Sequence, residues 1–210
     1  RFSPRGYSST HEVKYINGVE FNDQNRGVFN YASVGALNDM TRNGDVTNFN
    51  APGSFTFGRL GGTENINMRA SAYTPGGKLS LSYTNRNYYL RGMFTYSTGM
   101  NDKGWAFTSS LGGRYSHEGA IDGTFYKNFS LAFSAEKQWQ GGRHSLSMVA
   151  FISPVQRGQQ GNSYREVYEL TDNYQYNPNW GYQNGDKRNA KVVTAFDPTA
   201  VFSHVWKIND

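Results

Sequence analysis

Six aromatic residues, Tyr164, Tyr168, Tyr174, Tyr176, Trp180 and Tyr182, fall within one polar stretch among Asn, Gln, Arg and Asp. Rings that bury an apolar face beside amides that fix orientation are suited to reversible recognition of sugars, peptides or chelates. The alternative is that these rings pack the stretch against itself. Little else in the chain is equipped for chemistry. The histidines, His11, His117, His144 and His204, lack ligand spacing, and cysteine is absent, which removes disulfide frameworks and thiolate metal sites. His117-Glu118 comes nearest to a metal pair and reads as a solvated loop pair. No Gly-x-Ser-x-Gly elbow, phosphate loop or dinucleotide fingerprint occurs. The sequon Asn128-Phe129-Ser130 falls inside an expected strand. Binding rather than catalysis is expected, with no cofactor and no bound metal.

The stretch that carries these rings must be held by something, and the candidates are period-two segments between residues 78 and 152. Tyr88, Leu90, Phe94 and Tyr96 share one parity with Gly92, while Arg91, Thr95 and Ser97 share the other. Trp105, Phe107, Leu111 and Tyr115 alternate with Ala106, Thr108, Ser110, Gly112 and Arg114. Phe129, Leu131, Phe133 and Ala135 alternate with Asn128, Ser130, Ser134 and Glu136. Leu146, Met148, Ala150 and Ile152 continue the series, although Val149 and Phe151 make that segment apolar on both sides. A shorter run, Leu79, Leu81 and Tyr83, precedes them. This is how a strand with one face in lipid reads, and it is also how a strand of a soluble sandwich reads.

Composition narrows the class. At 37% hydrophobic and 16% aromatic, with a mean hydropathy of −0.71, the chain is apolar enough to fold. It has no run near the roughly 20 apolar residues of a spanning helix. Only strands could carry it across a bilayer. Its 15 Tyr, 14 Phe and 24 Gly suit a barrel wall better than a Leu-rich soluble core. Trp105, Tyr115 and Trp139 sit at expected strand ends, where an amphipathic ring meets both water and lipid, and are candidates for a membrane girdle. The net charge of +5 is dispersed rather than gathered into a stripe, so nucleic acid is not an expected partner.

The first 77 residues differ from the rest in their Asn-Gly and Gly-Gly breaks and read as a separate unit. Residues 13–19 form a strand turned at Asn17-Gly18, residues 34–40 a short helical turn, and residues 54–60 with 66–70 a second hairpin. Residues 78–210 read as six strands, the last at 199–208. Their connections are 85–87, 98–104, 116–124, 139–143 and a long polar loop at 153–198. Successive turns of an up-and-down barrel alternate sides, and bacterial barrels keep short turns in the periplasm. The long loop therefore belongs at the cell exterior.

These residues also resemble a family. Arg5-Gly6-Tyr7, Val13-Lys14-Tyr15-Ile16-Asn17-Gly18-Val19 and Leu37-Asn38-Asp39-Met40-Thr41-Arg42 resemble the plug domain of TonB-dependent outer-membrane receptors, particularly the large ones of Bacteroidetes. Phe57-Gly58-Arg59-Leu60-Gly61-Gly62-Thr63-Glu64-Asn65-Ile66-Asn67 is similar to the last portion of that plug. Tyr96-Ser97-Thr98-Gly99, Gly123-Thr124-Phe125-Tyr126 and Asn177-Pro178-Asn179-Trp180-Gly181-Tyr182 look like the same family's barrel. The resemblance implies an all-β fold, a transmembrane antiparallel barrel of about 22 strands occluded by an N-terminal plug. It also implies import of a scarce glycan, peptide or metal chelate with energy from the TonB complex. Outer-membrane lipid and a surface lipoprotein are further implied partners, and the location is the outer membrane of a Gram-negative bacterium. Six strands make a wall only about 29 Å wide, and neither a leader nor a TonB box is recognisable. The chain is thus expected to be a fragment: residues 1–77 the C-terminal part of the plug, residues 78–210 the first barrel strands. The other readings are a soluble carbohydrate-binding β-sandwich and a small structural barrel or adhesin.

Overall fold

Alternation with period two becomes a meander of long antiparallel strands in the computed structural model, which describes residues 6–85 and 87–208. Arg5 of the first plug motif, Arg86 in the first wall connection and the terminal Asn209-Asp210 lie outside the described residues.

A small mixed sheet comes first. Strand β1 (Val13–Ile16) turns through Asn17 and Gly18, with φ of 50° and 86°, into β2 (Val19–Glu20). Both turn residues occupy the left-handed region that an Asn-Gly hairpin demands. Strands β3 (Gly44–Thr47) and β4 (Thr63–Ile66) complete the order β2-β1-β4-β3, with β1 and β4 parallel. The hairpin expected at 54–60 with 66–70 does not form: β4 pairs instead with β3 and β1. Those partners bury Thr63, Asn65 and Ile66, whereas Phe57 and Leu60 remain exposed. The 34–40 segment is a run of tight turns rather than a helix, with Leu37 and Met40 fully buried.

The wall then runs β5 (Gly76–Tyr83), β6 (Leu90–Ser97), β7 (Trp105–Ser116), β8 (Tyr126–Trp139) and β9 (His144–Ile152), each pairing with the next. Strand β10 (Val155–Gly158) carries β9 on in the same register, since Leu131 faces Ile152 and Asn128 faces Val155. A short helix, α1 (Arg165–Thr171), and a hairpin of β11 (Trp180–Gln183) and β12 (Asp186–Asn189) follow. The chain returns as β13 (Val192–Ala195) against β10 and β14 (Thr199–Trp206) against β9, again in one register. All six expected wall strands form. The long loop, however, shrinks from 153–198 to 159–191, because the strands continue past Pro154 and Pro198. Proline has no N–H to give the ladder, but the Pro154 carbonyl still accepts from the Phe129 N–H at 3.3 Å, so pairing resumes beyond it.

Burial decides which face is which. Phe129, Leu131 and Phe133 are 50, 42 and 41% exposed, whereas Ser130, Ala132 and Ser134 between them are fully buried. The large apolar side chains point away from the protein, and the small ones carry the N-terminal sheet. A soluble sandwich has the opposite arrangement, large apolar residues inward. Ile16, Leu37, Met40 and Met68 of the N-terminal unit form a core with Ala132, Val149, Phe151 and Val201 of the wall. That contact explains why β9 is apolar on both faces at one end. Tyr88 departs from its expected outward parity. It precedes β6, and its ring lies 5.1 Å from the inward Arg114 guanidinium and 5.7 Å from the Tyr126 ring.

Contact between sheet and wall is closest at Gly112, where a Cβ would stand 2.2 Å from the Ala36 carbonyl oxygen. Gly112→Ala is expected to cost the docked arrangement about 1–3 kcal/mol. Gly92→Ala, whose added carbon meets only Leu81 at 3.4 Å on the outward face, should leave it unchanged. Limited proteolysis of residues 13–72 in the intact protein reads the difference, and equal resistance of the two variants would contradict this docking.

Candidate functional site

Where wall strands rise past the N-terminal sheet, three connections gather at one end: 84–89, 117–125 and 159–191. They are the odd-numbered connections, and the short turns 98–104 and 140–143 lie at the other end. Between the gathered loops is a cavity of about 490 Å³. It is lined by Tyr126 of β8, Arg157 of β10, Phe125, Ile121 and a set of amides, Asn85, Asn87, Gln159, Gln160 and Gln175. Arg157 is the one charged residue lining it among the described residues. Its Nε is buried without a hydrogen-bond partner.

The third and fifth connections are latched together, and the β11–β12 hairpin is the latch. Asn184 and Gly185, at φ of 54° and 88°, turn it in the same way as Asn17-Gly18. Lys187 on the hairpin binds Glu118 and, at 3.1 Å, Asp122, and its ammonium stands 4.3 Å from the centre of the Trp180 ring. Glu118 also accepts from the Gly123 N–H at 2.9 Å. His117-Glu118 is therefore no isolated pair, since the acid is committed to Lys187. Trp180 packs so closely on Gly123, at φ 70°, that a Cβ there would fall 2.1 Å from the Trp180 Cβ. Asn177, 1% exposed, donates to the Asp122 carbonyl at 2.8 Å and accepts from the N–H groups of Gly161 and Asn179. Asn189 donates to the carbonyls of Gly123 and Gln159.

The six loop aromatics do not converge on the cavity. Trp180 serves the latch, with Tyr182 edge-on to it at 5.7 Å. The Tyr168 hydroxyl accepts from the Ser163 N–H, and Tyr176 is half-buried. Tyr164, Tyr174 and Tyr182 present open rings to solvent. Arg157 and Tyr126 were not singled out from sequence. The signal for Arg157 was its parity: it continues the inward face of β9 beyond Pro154. At the outer face, Trp105 and Trp139 lie beside the short turns and Tyr115 at the opposite end, all three exposed. Trp139 stacks on His144, which stacks in turn on Trp206, an exposed ring that the sequence reading passed over.

No family model and no curated protein matches the chain. The solved structure of the siderophore receptor PiuA from Acinetobacter baumannii is similar to it, with a TM-score of 0.51, 18% identity and coverage of 74% of this chain. The matched part is 20% of that receptor, so the chain spans about a fifth of its length. The likeness carries the fold. The chain is all-β, with the fold of part of an antiparallel barrel of the kind found in TonB-dependent receptors, and its N-terminal sheet lies against the small-residue face of the wall.

The latch makes the loop arrangement sensitive to pH. The hydrogen bond from Lys187 holds the Glu118 carboxyl below its ordinary value of 4.5, and Glu118 in turn holds Lys187 above 10.5. The acid's contribution is present above the unfolded value and is lost as pH falls through the lowered one. That of Lys187 is present below its unfolded value and is lost as pH rises through the raised one. The latch is thus expected to be intact between about pH 5 and pH 10. Glu118→Gln should loosen it at neutral pH, seen as faster hydrogen exchange at Gly123 and along 180–189, and exchange like that of the parent protein would exclude this role.

Proposed function

We propose that this chain is the late plug, residues 1–77, and the first wall strands, residues 78–210, of an outer-membrane receptor of a Gram-negative bacterium. The receptor imports a scarce nutrient, a glycan, peptide or metal chelate, from the cell exterior. The observation that carries this reading is the inverted burial of the wall: Leu, Phe and Trp outward, Ser, Thr, Ala and Gly inward against a second folded unit. Water does not stabilise so many exposed large apolar side chains along five successive strands, whereas hydrocarbon does. The same observation weighs against a soluble sandwich, because among the described residues no second layer covers Phe129, Leu131 and Phe133.

Other parts of the molecule agree with this reading. Trp105, Trp139 and Tyr115 stand at the two margins of the apolar band, as a membrane girdle requires. The loop end holds the cavity, and the exposed rings of Tyr164, Tyr174 and Tyr182 offer a first capture surface above it. Tyr168, Tyr176 and Trp180 keep that surface ordered. Energy for import would be relayed by the TonB complex through a segment outside this chain, and a surface lipoprotein is a further candidate partner. Assignment to the Bacteroidetes type rests on the sequence motifs alone.

Residues 1–210 contain no cysteine, so single cysteines can be introduced here and labelled in the intact protein once any cysteine elsewhere in it is replaced. An environment-sensitive fluorophore at Phe133→Cys should report hydrocarbon and be quenched by spin-labelled lipid. A cysteine at Ser134 should resist labelling until the protein is unfolded. Labelling of both positions by a water-soluble reagent in membranes would reject the receptor reading.

A further inference from the structure

We propose that the cavity at the loop end is an anion-binding subsite, with Arg157 as its cationic anchor, for a ligand that presents a carboxylate or phosphate group. The inference rests on the receptor reading and names the ligand class that reading leaves open.

Arg157 is on the inward parity of β10, below the loops and facing the cavity. At the mouth Lys187 is held between Glu118 and Asp122. Arg157 makes no ion pair among the described residues, and its Nε–H is buried and unpaired. Arg114, the nearest inward cation across β8, is in a similar state. Its Nη2 donates to Asn38 at 2.8 Å and its guanidinium faces Tyr88, yet its Nε is also buried and unpaired. Neither guanidinium is paired with a carboxylate among the described residues.

A guanidinium is planar, and its paired N–H groups match the two oxygens of a carboxylate or phosphate. Arg157 lines the cavity with no acidic partner among the described residues. The rest of the described lining is neutral: amides that can donate to further oxygens, and the rings of Phe125 and Tyr126 for a flat apolar portion. A cavity for an uncharged glycan needs the amides and rings but not a cation, whose desolvation by the ligand has no return from a neutral group.

The intact receptor, purified in detergent, is titrated by calorimetry with citrate, with inorganic phosphate and with the neutral maltotriose. Citrate or phosphate is expected to bind and maltotriose not to. Arg157→Gln should weaken anion binding by at least about tenfold, and Arg157→Lys, which keeps the charge but loses the paired N–H groups, should fall between. Gln160→Glu, which places an acid in the cavity, should weaken it as well. Arg165→Gln, on the exposed face of α1, should change nothing. Heat-modifiable migration on electrophoresis confirms that each variant is folded. The proposal is overturned if neither anion binds, if maltotriose binds as well as citrate, or if folded Arg157→Gln binds anions like the parent protein. A lipid-embedded protein that fails these tests keeps the receptor reading and loses the subsite. Anion binding by a protein found in the soluble fraction would do the reverse.

Discussion

The structure depends on hydrogen bonds from small hydroxyl side chains of the wall to backbone carbonyls of the N-terminal unit, the plug of the proposed receptor. Ser130 and, at 3.1 Å, Ser153 donate to the Gly35 carbonyl, Thr108 to that of Ala70 at 3.1 Å, and Ser134 to that of Met68 at 2.8 Å. These carbonyls sit in turns and short connections, outside any sheet ladder that could satisfy them. A buried carbonyl without a donor is costly, so the inward face of the wall must be polar and short wherever the plug's irregular backbone meets it. Ser and Thr supply the donor, and Gly112 supplies room where Ala36 comes too near for any side chain. The outward face has no such duty and is left to apolar bulk.

This division of labour accounts for the mouth as well. As the strands rise beyond the plug, the inward positions lose their backbone partners, and side chains there can be large and charged: Arg114, Tyr126 and Arg157 replace the Ser, Thr and Ala found lower down the same strands. The loops above do for each other what the plug does lower down. Asn177, Asn179 and Asn189 send their amides to carbonyls of 122, 123 and 159, so that a polar segment with one short helix and one hairpin keeps a defined shape. The cavity lies among these loops and the ends of β8 and β10.

Much of the wall was legible in the sequence because period-two alternation survives any later packing: the strand positions and the faces of Leu90, Phe107 and Phe133 follow from parity alone. What was misread lay where parity stops or is interrupted. Tyr88 sits in a connection, where alternation carries no information, and Pro154 and Pro198 looked like strand ends although the ladder resumes beyond them. That one misreading hid Arg157 and enlarged the loop. The false hairpin at 54–70 came from treating two apolar pieces as partners, when β4 pairs with the distant β1 and β3. The β11–β12 hairpin carried the same Asn-Gly signal as β1–β2, and its meaning was obscured by an otherwise polar stretch.

Glu136 shows how far the rule extends. It is a carboxylate on the inward face of β8, 1% exposed, and among the described residues it has no cationic partner. Instead it accepts from the Ser71 N–H at 3.0 Å and from Ser145 and Gln138 at 2.7 Å. Ser71 lies in the 3-10 turn Ala70–Ala72, the last ordered piece before the wall begins at Gly76. A free N–H at the end of the plug thus meets the strongest acceptor on the wall, and the charge is stabilised by neutral donors from both. Charge-assisted bonds of this kind are stronger than those between neutral groups. Glu136 fixes the junction with the wall, and along the face above it the neutral contacts at Ser134, Thr108 and Ser130 are joined by charge-assisted ones, Lys78 to Asp39 at 2.6 Å and Arg114 to Asn38 at 2.8 Å. The N-terminal unit is therefore anchored by charge both where it is covalently joined to the wall and where the face rises toward the cavity.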